Sequence, residues 1–115
     1  FEGHPDFKCF VAETDKQIEG IALVFERYST WKGKALHLED LIVNKKMRGS
    51  GMGTALLDTV VKYGAELGVK RISWEVLDWN TPAIDFYNQK GATIMEEWKL
   101  VHLNEEGINN YISKL

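Results

Sequence analysis

The feature that most constrains this chain is the segment Arg48-Gly49-Ser50-Gly51-Met52-Gly53, three alternate glycines lying between two stretches of different periodicity. Before it, Ala35 to Val43 sets apolar Leu36, Leu38 and Ile42 among polar His37, Glu39 and Asp40, the pattern of a half-buried strand. After it, Met52, Leu56, Val60, Tyr63 and Leu67 recur at three and four residues, flanked by Leu57 and Val61. Asp58, Lys62 and Glu66 take the opposite side, so the spacing predicts an amphipathic helix. A glycine loop between a strand and the first turn of a helix gathers unpaired backbone N–H groups and the positive end of the helix dipole at one point. Glycines at 49, 51 and 53 remove the Cβ atoms that would hold a diphosphate away, and Arg48 adds a cation beside it. The same residues also suit a loop that needs glycine for turning. A Walker loop is excluded because no Gly-Lys-Ser/Thr follows, and G-x-G-x-G departs from the dinucleotide fingerprint G-x-G-x-x-G.

Around this loop the chain reads as alternating elements. Phe7 to Glu13 predicts a strand, Thr14-Asp15-Lys16 a turn closing a hairpin, and Ile18 to Tyr28 a second strand with Gly20 near its start. Ser29 to Lys34 reads as a loop before the third strand. The alternation of that third strand slips at Asp40-Leu41, which predicts a bulge, a device that re-aims side chains beside active sites. Gly68 stands where a left-handed cap ends the helix, and Val69 to Leu77 continues as a strand with Ile72, Trp74 and Val76 at alternate positions. Thr81-Pro82 opens a short helix with a hydroxyl cap, Ala83, Phe86, Tyr87 and Lys90 share one of its faces, and Gly91 ends it. Ala92 to Leu103 reads as a final strand and Asn104 to Leu115 as a helical or irregular tail. Three strands in a meander followed by helix, strand, helix and strand define an α/β (α+β) fold, a mixed and mostly antiparallel sheet flanked by helices.

Composition removes several function classes. A chain of 115 residues is expected to form one domain, 1–115. Its 14 Lys and Arg against 17 Asp and Glu give a net charge of -3 with no basic run, which argues against nucleic acid. The longest apolar run, Ile21 to Phe25, is far short of the ~20 residues of a spanning helix. Cys9 is the single cysteine and no Cys/His cluster has zinc spacing, so no metal is expected and a reducing cytoplasm is. The opening Phe-Glu-Gly-His has neither methionine nor signal-peptide pattern, as expected of a chain lacking its N-terminal segment.

Arg48-x-x-Gly51-x-Gly53 in this setting resembles the acetyl-CoA pyrophosphate loop of the GNAT superfamily of N-acetyltransferases. Leu38-Glu39-Asp40-Leu41-Ile42-Val43, and Trp79-Asn80-Thr81-Pro82-Ala83-Ile84-Asp85-Phe86-Tyr87 running on to Lys90-Gly91-Ala92, resemble its spermidine/spermine (diamine/thialysine) branch. The resemblance runs from about Gly3-His4-Pro5 to Leu103. It implies transfer of an acetyl group from acetyl-CoA, as cosubstrate, directly to a primary amine of a small di- or polyamine or lysine-like molecule, by a homodimer. It also implies a first strand and two helices ahead of the region seen here.

The resemblance assigns roles residue by residue. Arg48, Gly49, Ser50, Gly51, Met52, Gly53 and Thr54 would hold the cofactor diphosphate, and Leu41, Ile42 and Val43 would offer backbone groups to the pantetheine arm. Asn80 would touch the cofactor near that arm, although its position before a helix also suits turn formation. Tyr87 would be the general acid for the departing thiolate; read without the resemblance it is core packing beside Phe86. Glu39 would face the amine and take its proton, with Asp40 sharing the substrate site if the bulge turns it, and His37 an alternative base. Asp78, Glu96 and Glu97 would extend an acidic pocket, while Trp74, Trp79 and Trp98 are expected in the core. Two other readings stay open: a protein or peptide N-acetyltransferase with an open groove, and a non-catalytic acyl-CoA sensor, against which Tyr87 argues.

Overall fold

A computed structural model of the chain describes residues 7–29, 33–97 and 99–115. It divides into two compact units, one running to Glu75 and the other from Val76 to Leu115. In the first unit, β1 (Phe7–Thr14) and β2 (Gln17–Ser29) form an antiparallel hairpin. Asp15 and Lys16, with φ 47° and 66°, join them. Two left-handed residues in a two-residue connection are the mark of a type I′ turn, whose twist matches that of the strands. Strand β3 (Gly33–Val43) pairs with β2 from Gly20 opposite Val43 to Ser29 opposite Gly33. Of the loop expected over Ser29 to Lys34, Ser29, Gly33 and Lys34 are therefore strand residues, and 30–32 lie outside the described residues. Helix α1 (Met52–Leu67) then returns the chain so that β4 (Ile72–Ser73) lies parallel to β3, giving the sheet order β1-β2-β3-β4.

The core of this unit lies between α1 and one face of the sheet. Ala22, Val24, Leu36 and Leu38 from the strands and Leu56, Leu57 and Val60 from the helix are all buried. Val61, expected beside them, is exposed. Two glycines set how closely the helix sits: a Cβ on Gly20 would lie 3.0 Å from both Leu56 Cδ1 and Met52 Sδ, and one on Gly64 2.8 Å from Ile72 Cδ1. Phe10 meets Tyr63 edge-on at 5.4 Å, with the Lys8 ammonium 4.9 Å from the Tyr63 ring. Gly68, at φ 74°, closes α1 as its sequence position predicts.

Two bulges interrupt the pairing. Leu23 faces Asp40 and Val24 faces Leu38, so Glu39 is an extra residue in β3, one position ahead of the slip seen in the sequence. Ala12 faces Gly20 and Glu13 faces Ile18, so Glu19 is an extra residue in β2, which the sequence did not signal. The strand expected over Val69 to Leu77 is reduced to Ile72 and Ser73. Its apolar alternation reports half-burial, but strand structure needs a ladder, and β3 supplies partners only at Leu36 and His37 before its own bulge.

In the second unit, α2 spans Thr81–Gln89 and α3 spans Glu105–Ser113. The cap of α2 is Asn80 and not Thr81: Asn80 Oδ1 accepts from the Ala83 N–H at 3.4 Å, which puts Thr81 and Pro82 already inside the first turn. Gly91, at φ 87°, follows the end of that helix. The final strand expected over Ala92 to Leu103 does not form among the described residues. Met95, Leu100, Val101 and Leu103 are exposed there, so β-rich composition without a pairing edge does not suffice. The tail is helical, with the Asn104 side chain accepting from the Gly107 N–H at 2.8 Å and Glu105 and Glu106 in the first turn. Trp79 is 73% exposed instead of core, Trp74 is half-buried, and Trp98 lies outside the described residues. No described helix is long and apolar enough to cross a membrane.

Candidate active site

The glycine loop is built by the end of β3 and the start of α1. After Val43 a 3-10 turn, Lys45–Met47, redirects the chain, closed by Met47 N–H to Asn44 C=O at 2.8 Å and Ser50 N–H to Met47 C=O at 3.2 Å. The Ser50 hydroxyl also donates to the Met47 carbonyl. Gly49 and Gly51 then adopt φ 82° and 90°. That left-handed conformation costs other L-residues about 1–2 kcal/mol. A Cβ on either would meet nothing described within 4 Å, and one on Gly53 would make an ordinary 3.8 Å contact with Val43. No described residue crowds Gly49 or Gly51.

Gly51 is the N-cap of α1 and has no side chain to satisfy the first-turn N–H groups. The Met52 N–H has a long 3.4 Å contact to Ser50 Oγ, and the first turn carries no acid. Donors, the positive end of the dipole and the exposed Arg48 thus coincide where side-chain bulk is missing, and Arg48 to Thr54 fit a diphosphate. Upstream, β4 stops pairing at His37, so beyond it the second edge of β3, including Leu41, Ile42 and Val43, has no paired strand among the described residues. Outward N–H and C=O groups of such an edge match an extended amide-bearing chain, the character of a pantetheine arm.

The β3 bulge falls at the predicted acids of this unit. Regular alternation would send Glu39 and Asp40 to opposite faces; the bulge interrupts that alternation, and both residues are exposed. His37 sits behind Glu39 and is buried at 5% exposure. Its Nδ1 lies 2.9 Å from Ser73 Oγ, its Nε2 3.6 Å from Glu39 Oε2, and its ring packs 5.2 Å from Phe25. Burial first, and the Arg27 guanidinium second, hold its pKa below the ordinary histidine value against the opposing pull of Glu39 and Glu75. The ring is held to Ser73 through Nδ1, and its Nε2 faces the Glu39 carboxylate across a gap longer than a hydrogen bond. Glu39, half-exposed, is the acid that an amine in solvent can reach, whereas His37 is buried.

In the second unit, α2 positions Asn80 and Tyr87. Asn80 spends its oxygen on the cap and keeps its amide N–H groups as donors. Tyr87 is half-buried, edge-on to Phe86 at 5.5 Å, and burial raises its phenol pKa above 10.0, so it is protonated at neutral pH. Asp78, Glu96 and Glu97 are exposed residues of this unit. Sequence reasoning missed Ser73 and Glu19. Ser73 is revealed by the parallel register that sets it opposite His37, and Glu19 by a bulge that only the pairing of β1 with β2 defines.

A glycine loop at the start of a helix, a strand edge beside it that no described strand pairs, and an exposed acid on a bulge make up the candidate site of the first unit. The chain belongs to the acetyltransferase (GNAT) family, whose model matches residues 1–92. It is 36% identical over 107 residues to L-ornithine N5-acetyltransferase of Arabidopsis thaliana, covering 90% of this chain and 47% of that protein. It is 32% identical over 121 residues to thialysine N-epsilon-acetyltransferase of Bos taurus, covering 96% of this chain and 71% of the relative. The chain thus spans about half the length of the first and under three quarters of the second. Among solved structures, an integron cassette protein of V. cholerae superposes with TM-score 0.88 at 23% identity over 97% of this chain and 70% of the other. That likeness shows the same mixed-sheet fold. Its relatives place the chain near the thialysine and spermidine/spermine branch of the family.

Proposed function

We propose that this protein moves an acetyl group from acetyl-CoA directly to a primary amine of a small di- or polyamine or lysine-like molecule. The observation that carries the reading is the side-chain-free cap at Gly51, where first-turn donors and Arg48 meet beside a stretch of β3 whose second edge no described strand pairs. When bound, acetyl-CoA supplies an activated thioester. Arg48 to Thr54 would hold its diphosphate and Leu41 to Val43 its pantetheine arm, and the Asn80 amide of the second unit would supply a further donor to the cofactor. Glu39 takes the ammonium proton so that the amine can act as a nucleophile, and Asp40 adds negative charge that attracts the cation. His37, buried behind Glu39 with its pKa held below the ordinary histidine value, does not compete for that proton. Tyr87 keeps its proton at neutral pH and gives it to the thiolate.

The relatives support an amine acceptor: their names specify ornithine, thialysine and spermidine or spermine, and tyramine in the feruloyltransferases of Nicotiana tabacum. Glu39→Gln tests the reading. It preserves size and removes the proton acceptor, so turnover at pH 7.5 should fall by about 100-fold while CoA affinity stays within about twofold. Unchanged turnover would take Glu39 out of the reaction.

A further inference from the structure

Two adjacent residues of β2 grip both ends of the glycine loop. Glu19, the extra residue of the β2 bulge, is 3% exposed. Its carboxylate accepts a hydrogen bond from Asn44 Nδ2 at 2.7 Å and pairs with Lys46 Nζ at 2.9 Å. Its backbone carbonyl accepts from the Asn44 N–H at 2.7 Å. The next residue, Gly20, receives the start of α1, with Met52 Sδ 3.0 Å from where a Cβ would stand. The stretch from Asn44 to Met52, which contains Arg48 to Gly51, is thus tied down on neighbouring positions of one strand. A buried carboxylate is unfavourable unless paired. Here the partners of the carboxylate, Lys46 and Asn44, both lie on the lead into the loop, and they hold the Glu19 pKa below its usual 4.5 against the opposing effect of burial.

We infer that Glu19 is a positioning residue for the acetyl-CoA site: by binding Asn44 and Lys46 to β2 it sets the path on which the loop presents its N–H groups. The inference rests on reading this loop as the diphosphate site, so the first measurement is CoA binding by the unmodified protein in a calorimetric titration. Failure to bind would overturn that reading, and this inference with it. Given binding, Glu19→Gln keeps an oxygen for Asn44 and loses the charge facing Lys46, whereas Glu19→Val loses both. The expected increase in CoA Kd is about threefold for Glu19→Gln and about tenfold for Glu19→Val. KM for acetyl-CoA should rise in parallel, with kcat at saturating acetyl-CoA and KM for the amine changed by less than about twofold. If Glu19→Val does not fold, Asn44→Ala, which removes the same hydrogen bond from the other side, takes its place. A folded Glu19→Val or Asn44→Ala protein that binds CoA as tightly as the original, or that loses kcat with KM unchanged, would overturn the assignment.

Discussion

Gly51→Ala, measured beside Gly49→Ala, separates backbone strain from exclusion of the ligand. The two glycines are matched in conformation and surroundings: φ is 90° and 82°, and a Cβ on either meets nothing described within 4 Å. Each substitution should therefore cost the same strain, about 1–2 kcal/mol, which lowers Tm by about 4 °C per kcal/mol in a domain of this size. They differ in what lies next to them. Gly51 is the cap of α1, so a methyl group there stands beside the first-turn N–H donors and competes with a diphosphate oxygen for the same space. Gly49 stands two residues earlier on the turn. The CoA Kd should rise at least about tenfold for Gly51→Ala, equivalent to about 1.4 kcal/mol, and less than about threefold for Gly49→Ala. Calorimetric titration with CoA and thermal melting of the same two samples measure both quantities. Equal Kd changes in the two variants, or none in Gly51→Ala despite the loss of Tm, would refute placing the diphosphate at the cap.

Tyr87→Phe removes one oxygen from a half-buried ring, so turnover should fall about 100-fold or more with acetyl-CoA Kd unchanged within about twofold; a variant that turns over at the original rate would show that another group protonates the thiolate. His37 gives a pH signature. Its folded pKa lies below 6.5, so the unfolded chain takes up the proton first as pH falls. The stability tied to neutral His37 is complete above about 6.5 and is lost as pH drops toward the lower folded value. Denaturant melts from pH 7.5 to 5 should show that loss, reduced in His37→Gln; identical curves for the two proteins would refute it. Glu19 has the same sign at lower pH: its contribution is present above 4.5 and is lost as pH falls through its depressed folded pKa. The Tm difference between the protein and Glu19→Gln should accordingly be constant above pH 5.5 and shrink below about 4.5.

Sequence reading succeeded where one local rule decides the outcome. The 3.6-residue recurrence from Met52 to Leu67 and the glycine at 68 located α1 at both ends, because periodicity and a left-handed cap are both local. The Asp15-Lys16 hairpin was visible for the same reason. It failed where a partner decides. Ile94, Trp98 and Val101 have strand composition, yet no ladder forms over the described part of that stretch. The candidate site divides in the same way. The loop and the adjacent acids Glu39 and Asp40 can be read from residue order. The Ser73–His37–Glu39 arrangement requires the parallel register of β4, and the burial of Glu19 against Asn44 and Lys46 requires a bulge defined by β1.

The account as a whole stands on acetyl transfer to a small amine. Its most direct test is CoA release from acetyl-CoA with spermidine, thialysine, ornithine, tyramine and a lysine peptide offered separately, each product weighed by mass spectrometry. The account predicts CoA release matched by a singly acetylated small amine, with little turnover of the peptide. CoA bound but never released with any amine would contradict the catalytic reading, and release with the peptide alone would contradict the small-amine assignment.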